Sequence, residues 1–550
     1  MTAGAFLWAL AWSGIFSGEK VNRDGWILVV RFLEALTSLE ISPAFLRVTA
    51  RATIDTLAFA ALGTTLTLAI GVVGGVLGSR VWWDTVAPSE HGSRRSAGSR
   101  LLPWLAVRGL LVLPRSVHEI VWGVLLVAVL GLDPLVAILA IGIPFGAITA
   151  KVFSELLDEA PRRSLNALRS AGAPPLTALL YSVVPTAFPD LLSYAFYRFE
   201  CAIRSAAVLG VIGAGGLGYQ LFLSLQSLRY EQVWTLLLAL ILLTGLSDLW
   251  SGLVRRALGA PARLDIGRSM SAPASDGGRT SSVVWTSLAG AVLLVVFSGV
   301  YLAPEVGRLW SSRTLSLAGT LLGEALPPSL AGLSLGVWAS TAADTLAMSI
   351  LALFLAAAGG ILLSFGAARN VLGPRGMGGE GGRPVVARLL AGGIYAISRG
   401  LLLLLRGVPA PIWALLFLFV FFPGILPGAL ALGVYTMGVL GRLMAESVEN
   451  LDPAPVRALR TQGASPAAAF VYGVLPAVLP RFTAYSLYRW EVAIRATAMV
   501  GLVGAGGLGR MLTEQMSSFH YAAVSTTLLV YVLLTWGVDL ISSAVRRDLR

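Results

Sequence analysis

Apolar runs of membrane-spanning length alternate along this chain with short segments rich in arginine. A helix needs about 20 apolar residues to cross a bilayer. Val283–Ala303, Trp413–Val434, and Val233–Leu246 with its flanks approach or reach that length. The pattern predicts an all-α polytopic membrane protein. Spans are expected near 3–16, 54–78, 105–131, 134–153, 187–212 and 232–254 in the first half. The second half repeats them near 282–303, 341–365, 396–421, 424–445, 478–503 and 522–545. Arginines follow the second span (Arg80, Arg94, Arg95, Arg100) and the fourth (Arg162, Arg163, Arg169), whereas Gly131–Pro134 has none. Basic loops stay in the cytoplasm, which places both ends of each half inside, with Arg546–Arg550 marking the C-terminus. Met1–Phe16 lacks a basic n-region and a small-residue cleavage site, so it reads as a first span, not a cleaved signal. It is short for a bilayer, and if it does not span, the N-terminus moves outside.

The halves are copies of one another. LRSAG at Leu168–Gly172 returns 291 residues later as LRTQG at Leu459–Gly463, and YSVVP at Tyr181–Pro185 as YGVLP at Tyr472–Pro476. YAFYRFECAIR (Tyr194–Arg204) matches YSLYRWEVAIR (Tyr485–Arg495), and VLGVIGAGGLG (Val208–Gly218) matches MVGLVGAGGLG (Met499–Gly509). The register holds without a gap from Trp122/Trp413 to Gly218/Gly509. Upstream, Asp55-Thr56-Leu57-Ala58 matches Asp344-Thr345-Leu346-Ala347. Such self-similarity sets the domain plan: a first unit over 1–258, a cytoplasmic linker over 259–281 rich in Ser, Gly, Ala, Pro and Arg, and a second unit over 282–550. Both units start and end inside, so the repeat is parallel, with a pseudo-two-fold, and not inverted.

Composition narrows the chemistry. Hydrophobic residues make up 56% and charged residues 13% of the chain, against about 25% charged in soluble domains. A net charge of +12 in a soluble protein would raise the question of nucleic acid. Here the arginines lie in loops facing anionic membrane lipid, and no nucleic-acid partner is expected. One cysteine, Cys201, makes no disulfide and no Cys-based metal site, and His91, His118 and His520 show no ligand spacing. No nucleophile–base pair and no GxxxxGK[ST] phosphate loop is found, so ATP hydrolysis would need another chain. Gly213, Gly215 and Gly218 spell GxGxxG, as do Gly504, Gly506 and Gly509. They end a span, without the βαβ setting of a dinucleotide site, and read as close helix approach or a break near the outer surface.

The loop after each fourth span is polar and basic, yet it recurs. Asn166–Ala171 and Arg457–Gln462 look helical, Gly172 and Gly463 end those helices, Ala173 and Ala464 follow, and Pro185 and Pro476 start the next span. A short helix across the inner face suits docking by a soluble partner; the alternative is a plain loop helix.

At this point the sequence resembles a known family. The Gly-x12-Pro frame with its preceding helix looks like the coupling loop of ABC-importer permeases. LRSAGA…YSVVPTAFPDLLSYAFYRFECAIRSAAVLGVIGAGGLG and its second copy resemble the phosphonate-importer permease over the last ~150 residues of each unit. The resemblance implies two type I importer permease units of about six transmembrane helices each, fused in tandem. It implies two copies of an ABC ATP-binding subunit carrying ATP and Mg, with no cofactor on this chain, and an extracytoplasmic phosphonate- or phosphate-binding protein. The membrane would be the bacterial inner membrane, and the cargo a phosphonate or a related phosphorus oxyanion. Where the family's loop carries Glu, this chain has Asn166 and Arg457. Alternatives are a type I permease for another small solute and an ion-coupled secondary transporter.

The fifth spans carry charge. Glu200 and Arg204 lie four apart on one face, as do Glu491 and Arg495. Intramembrane charges are costly and face a bundle interior. Counting 19 residues from Pro185, roughly 28 Å of helix, puts Arg204 toward the outer side. Two readings are open: each pair neutralises itself and locks packing, or Arg204 and Arg495 form a station for the anion, whose two oxygens suit a guanidinium fork. In the third spans Arg115 and Glu119 form another i,i+4 pair. The second copy keeps Arg406 but has Ala410 at the acidic position and Pro409 at that of His118, so Arg406 is expected unpaired.

Overall fold

The computed structural model describes residues 2–15, 22, 25–86, 94–258, 282–372 and 385–548, and the expected linker 259–281 lies outside them. The first copy contains α1 (Thr2–Trp12), α2 (Gly25–Glu34), α3 (Pro43–Gly78), α4 (Arg80–Val86), α5 (Arg94–Ser116), α6 (Glu119–Leu130), α7 (Pro134–Glu159) and α8 (Arg163–Ser170). It continues with α9 (Pro175–Gly210), α10 (Gly216–Gln226) and α11 (Tyr230–Leu258). The second contains α12 (Ser282–Leu302), α13 (Ser312–Ala325), α14 (Leu335–Ala367), α15 (Val385–Gly407), α16 (Ala410–Val420), α17 (Ile425–Glu449) and α18 (Ala454–Thr461). It ends with α19 (Pro466–Gly501), α20 (Gly507–Ser517) and α21 (Tyr521–Asp548).

Among the described residues, ten helices are long and apolar enough to cross a membrane, or eleven when the bent pair α5–α6 counts as one span. Three expectations are corrected. The span read over 3–16 is α1, 11 residues or about 16 Å, half the ~30 Å of hydrocarbon. Both third spans are broken. α5 and α6 meet at 85°, and α15 gives way to α16 at Val408–Pro409. The residue before a proline avoids the helical region, which explains the second break. In the first copy His118 serves instead, capping α6 with its Nδ1 accepting from Ile120 N at 3.3 Å. Finally, the fifth helices start at Pro175 and Pro466, ten residues ahead of Pro185 and Pro476. Those later prolines sit just after π-helical turns, Leu179–Val183 and Phe470–Val474. A π turn shifts the hydrogen-bond register by one residue, accommodating the missing proline N–H without ending the helix.

The described chain forms two compact units that do not coincide with its two halves. One comprises Met1–Glu40, Leu228–Ile241 and Gly319–Arg550; the other Ile41–Ser227 and Leu242–Ala318. Within the first of these, α1 packs on α14: Phe6 meets Phe354 at 4.7 Å between ring centres, and Trp12 Nε1 donates to Asp344 Oδ1 at 2.9 Å. Within the other, α12 packs on α3, and Tyr301 OH donates to Asp55 Oδ1 at 2.8 Å. Each copy's leading helix thus joins the unit built around the other copy, held by the aspartate of the repeated Asp-Thr-Leu-Ala.

The threonine of the same motif has a different task. Thr56 Oγ1 accepts from Leu217 N at 2.8 Å and Thr345 Oγ1 from Leu508 N at 2.9 Å, each satisfying an orphan donor at the start of α10 or α20. The GxGxxG segments are the reversals into these helices. Gly213, Gly215 and Gly216, like Gly504, Gly506 and Gly507, have positive φ, which non-glycine residues rarely adopt. Behind each turn the backbones touch: a Cβ on Gly218 would overlap the Ala207 carbonyl oxygen. Both sequence readings of these glycines, close approach and a break, hold. α3 lies on α7, and α14 on α17, through similarly small surfaces; a Cβ on Gly360 would stand 3.2 Å from Gly441 N.

Gly218→Val is therefore expected to abolish assembly, since overpacking against backbone costs about 3 kcal/mol or more. Gly392→Val, with nothing within 4 Å of the added Cβ, is expected to change stability by about 0.5 kcal/mol or less. Gel filtration and thermal melting of the detergent-solubilised protein distinguish the two.

Candidate functional site

Two constellations recur in both copies. The first is the loop between the fourth and fifth long helices. α8 ends in a left-handed glycine cap: Gly172 has φ +86°, its N–H donates to Arg169 O, and Ala173 N donates to Leu168 O at 3.0 Å. Gly463 repeats this with φ +86°, donating to Arg460 O, and Ala464 N donates to Leu459 O at 3.0 Å. This pairing of bonds stops a helix and redirects the chain, as the sequence predicts. Arg169 and Arg460 lock the turn by donating to the Ala173 and Ala464 carbonyls at 2.8 and 3.2 Å.

One side of each loop is anchored. Leu165, Ala178, Leu179 and Val183 are buried with Val81 and Leu157. In the second copy Val474, Val478 and Phe482 form the equivalent cluster, with Val456 and Phe470 against it. The other side is open. Asn166, Arg457, Pro185 and Pro476 are exposed. So are Tyr181 at 77% and Tyr472 at 76%, residues that sequence reasoning passed over. The available signal was an aromatic residue repeated at one position of a polar loop.

The second constellation is the charge on α9 and α19. In the first copy Glu200 is fully buried and accepts from Arg204 Nη2 at 3.4 Å. Two residues before it, Arg198 Nε donates to Tyr194 OH at 2.9 Å, and its Nη2 also reaches that oxygen. The Arg198 guanidinium stands 5.2 Å from the Phe145 ring centre, 4.9 Å from Tyr194 and 5.8 Å from Tyr197, a cation held by aromatic faces. Glu119 Oε1 accepts from Ser205 Oγ at 2.7 Å, and its Oε2 lies 3.4 Å from His118 Nδ1. The i,i+4 pair read for Arg115 and Glu119 fails because the helix breaks between them. In the second copy the Glu119–Ser205 link is replaced at both ends, by Ala410 and Ala496. Replacing both partners avoids stranding either polar group.

The second copy corrects two further expectations. Glu491 does not pair with the Arg495 guanidinium through its carboxylate; Oε1 accepts from Arg546 Nη1 at 2.7 Å, and Arg495 Nε donates to the Glu491 backbone carbonyl at 3.2 Å. A basic residue 55 positions away is invisible to an i,i+4 reading. Arg406 is buried but is not free of partners. Thr497 meets Tyr531 at 3.3 Å, and Glu491 meets Arg546 near the end of α21. Arg495, two residues before Thr497, therefore lies close to the level of Tyr531, ten residues into α21. The count from Pro185 leaves out the first ten residues of this 36-residue helix. At roughly 54 Å it also exceeds the ~30 Å hydrocarbon core. No group of three His, Cys, Asp or Glu side chains able to hold a metal occurs among the described residues.

Comparison with known proteins fits this arrangement. A family model described as "Binding-protein-dependent transport system inner membrane component" matches residues 101–259 and 385–550, one block in each copy. The phosphate-import permease protein PhnE of Mycolicibacterium smegmatis is 27% identical over 501 residues, 90% of this chain and 85% of that protein. The phosphite transport system permease protein PtxC of Stutzerimonas stutzeri is 36% identical over 261 residues, 46% of this chain and 88% of that protein. A solved structure described as inward facing conformations of the MetNI methionine ABC transporter is 20% identical, covers 40% of this chain and 100% of its own, and has a TM-score of 0.34.

Ser205→Ala should destabilise the protein by about 1–3 kcal/mol, because Glu119 loses a buried donor. Adding Glu119→Ala, the state already present in the second copy, should recover most of that loss. Thermal melting of the single and double variants in detergent measures the coupling; additive losses would show that the two side chains act independently.

Proposed function

The chain belongs to the family of binding-protein-dependent transport system inner membrane components, and from that premise we propose that it is the complete membrane pathway of an ATP-driven importer for a phosphorus oxyanion. The cargo class, phosphate, phosphite or phosphonate, rests on the relatives, one a phosphate-import permease aligned over 90% of this chain and another a phosphite permease. Both permease units reside in one chain, so a single copy serves where two protomers would otherwise assemble. The chain is a permease and not an enzyme. Two ABC ATP-binding subunits, carrying ATP and Mg, dock from the cytoplasm, and an extracytoplasmic binding protein delivers the anion at the bacterial inner membrane. The basic cytoplasmic loops lie against anionic lipid.

The observation that carries the mechanism is the duplicated loop. Each copy presents a capped short helix, Arg163–Ser170 and Ala454–Thr461, packed on its own unit by one side and bearing an exposed tyrosine beyond it. The loop runs directly into α9 or α19, so movement of the docked ATPase is delivered to a spanning helix. Substrate would pass along the charged segments of these helices, near Arg204 and Glu200 in one copy and Arg495 and Glu491 in the other. Arg115, Glu119 and Arg406 belong to the adjoining third helices. Coupling does not use the family's loop Glu, since Asn166 and Arg457 stand there. An ion-coupled secondary transporter would need no such docking loop.

Gly172→Trp with Gly463→Trp tests the docking. Both positions have room for a side chain but a left-handed backbone, so strain is local, on the order of 1 kcal/mol per site. The double variant should insert normally, lose the ATPase subunits on purification, and show uptake at background level; retained ATPase and uptake would refute the assignment. Native mass measurement of the wild-type complex should find one copy of this chain with two ATPase subunits. Two copies of this chain per complex would overturn the fused-protomer reading.

A further inference from the structure

The sequence motif that holds Glu200 and Glu491 also holds a second arginine, Arg198 in YRFE and Arg489 in YRWE. The two occupy the same position of the repeat and are equally buried, 6% and 7% exposed. Their surroundings differ. Arg198 is hydrogen-bonded to Tyr194 and enclosed by the Phe145, Tyr194 and Tyr197 rings. Arg489 has neither a hydrogen bond nor an ion pair among the described residues, and its buried Nε is unbonded. At the position of Phe145 the second copy has Thr436, also buried, so one wall of the aromatic enclosure becomes a hydroxyl-bearing side chain.

We infer that Arg489 is the residue that holds the transported phosphorus oxyanion within the second copy. This rests on the oxyanion reading above and replaces Arg204 and Arg495 as the principal contact. Arginine keeps its proton under any physiological condition, so Arg489 cannot escape burial by becoming neutral. An uncompensated buried cation opposes folding. The carboxylates of α17 and α19 are engaged elsewhere: Glu491 by Arg546 at 2.7 Å, Glu446 by Arg442 at 2.7 Å, and Glu449 by Arg399 at 2.5 Å. An anion arriving from outside the chain supplies the missing charge. A guanidinium offers two parallel N–H donors to two oxygens of a tetrahedral phosphorus centre. Arg204 and Arg495 already make contacts to Glu200 and to the Glu491 carbonyl, and Arg198 is closed by its aromatic neighbours. The asymmetry of the two copies therefore selects one arginine of four.

The test uses the whole complex, with ATPase subunits and binding protein, in proteoliposomes. The probes are labelled inorganic phosphate, phosphite and methylphosphonate. Arg489→Gln should assemble with a melting midpoint equal to or above wild type, because an unpaired charge has been removed, while uptake falls by about tenfold or more. Arg489→Lys, which keeps the charge without the fork, should restore part of the uptake. Arg198→Gln should lower the melting midpoint, since Tyr194 and the ring faces lose their partner. Uptake by Arg489→Gln within about twofold of wild type overturns the inference. So does a fall in its melting midpoint, or a loss of assembly, matching that of Arg198→Gln, which would make Arg489 structural. A wild-type complex that hydrolyses ATP with its binding protein yet moves none of the three probes refutes the oxyanion reading itself.

Discussion

A polar group inside an apolar helix bundle must find its partner within the protein, and most of this structure follows from that constraint. Broken helices are tolerable only where their free ends are capped. The α5–α6 bend has the His118 imidazole, and the starts of α10 and α20 have Thr56 and Thr345. The ends of α3 and α14 obey the same rule, with Gly78 O accepting from Arg108 Nε at 3.2 Å and Ala367 O from Arg399 Nε at 3.0 Å. Asp158 and Glu449 then accept from a backbone N–H two or three residues further on, of Val81 and Arg369. One repeated acid and one repeated arginine thus close each turn from both sides.

Duplication relaxes the constraint in a particular way. A buried polar contact can disappear from one copy without penalty if both of its members change. Glu119 with Ser205 becomes Ala410 with Ala496, and the His118 cap becomes Pro409, two solutions to the same break. Where one member stays, a new partner appears: Glu491, lacking the Arg495 head group, takes Arg546. Asp133 shows the gain side. Its Oδ1 caps α7 through Leu135 N at 2.8 Å, and its Oδ2 binds Arg308 at 2.6 Å. The second copy has Gly424 at that position. Glu305 and Asp133 together hold the Arg308 guanidinium above its ordinary pKa.

Periodicity and repetition made the helical class, the duplication and the loop glycines legible, because each is written in local spacing. The Gly172 and Gly463 caps need only a helix, a glycine and the residue after it. What sequence could not carry was tertiary. The pairing of Glu491 with Arg546 joins residues on different helices, and no spacing rule points there. The start of the fifth helices was misplaced because Pro185 and Pro476 look like helix starters, and a π turn that accommodates such a proline leaves no local signature. The role of Asp55 and Asp344 was hidden because their partners, Tyr301 and Trp12, come from the leading helices of the opposite copies. Arg489 was quoted within its motif yet passed over, since only the contacts of its counterpart distinguish it.

The geometry of α9 and α19 bears on how the proposed coupling operates. Each is a 36-residue helix that begins two residues after the loop alanine, Ala173 or Ala464, and carries its charges about two-thirds of the way along. The loop end is fastened by an apolar cluster of the same unit, so a pull on α8 or α18 acts on the whole helix as one body and is not absorbed by the loop. The π turns near the inner ends shift hydrogen-bond register without breaking the rod. Each π turn lies between the loop helix and the buried arginines. A pull at the inner end would therefore move the charged segment by tilting the rod. In that arrangement the anion contact and the ATPase contact are opposite ends of a single element. At the charged end the copies differ in chemistry, with one arginine enclosed by aromatic rings and the other left for the cargo.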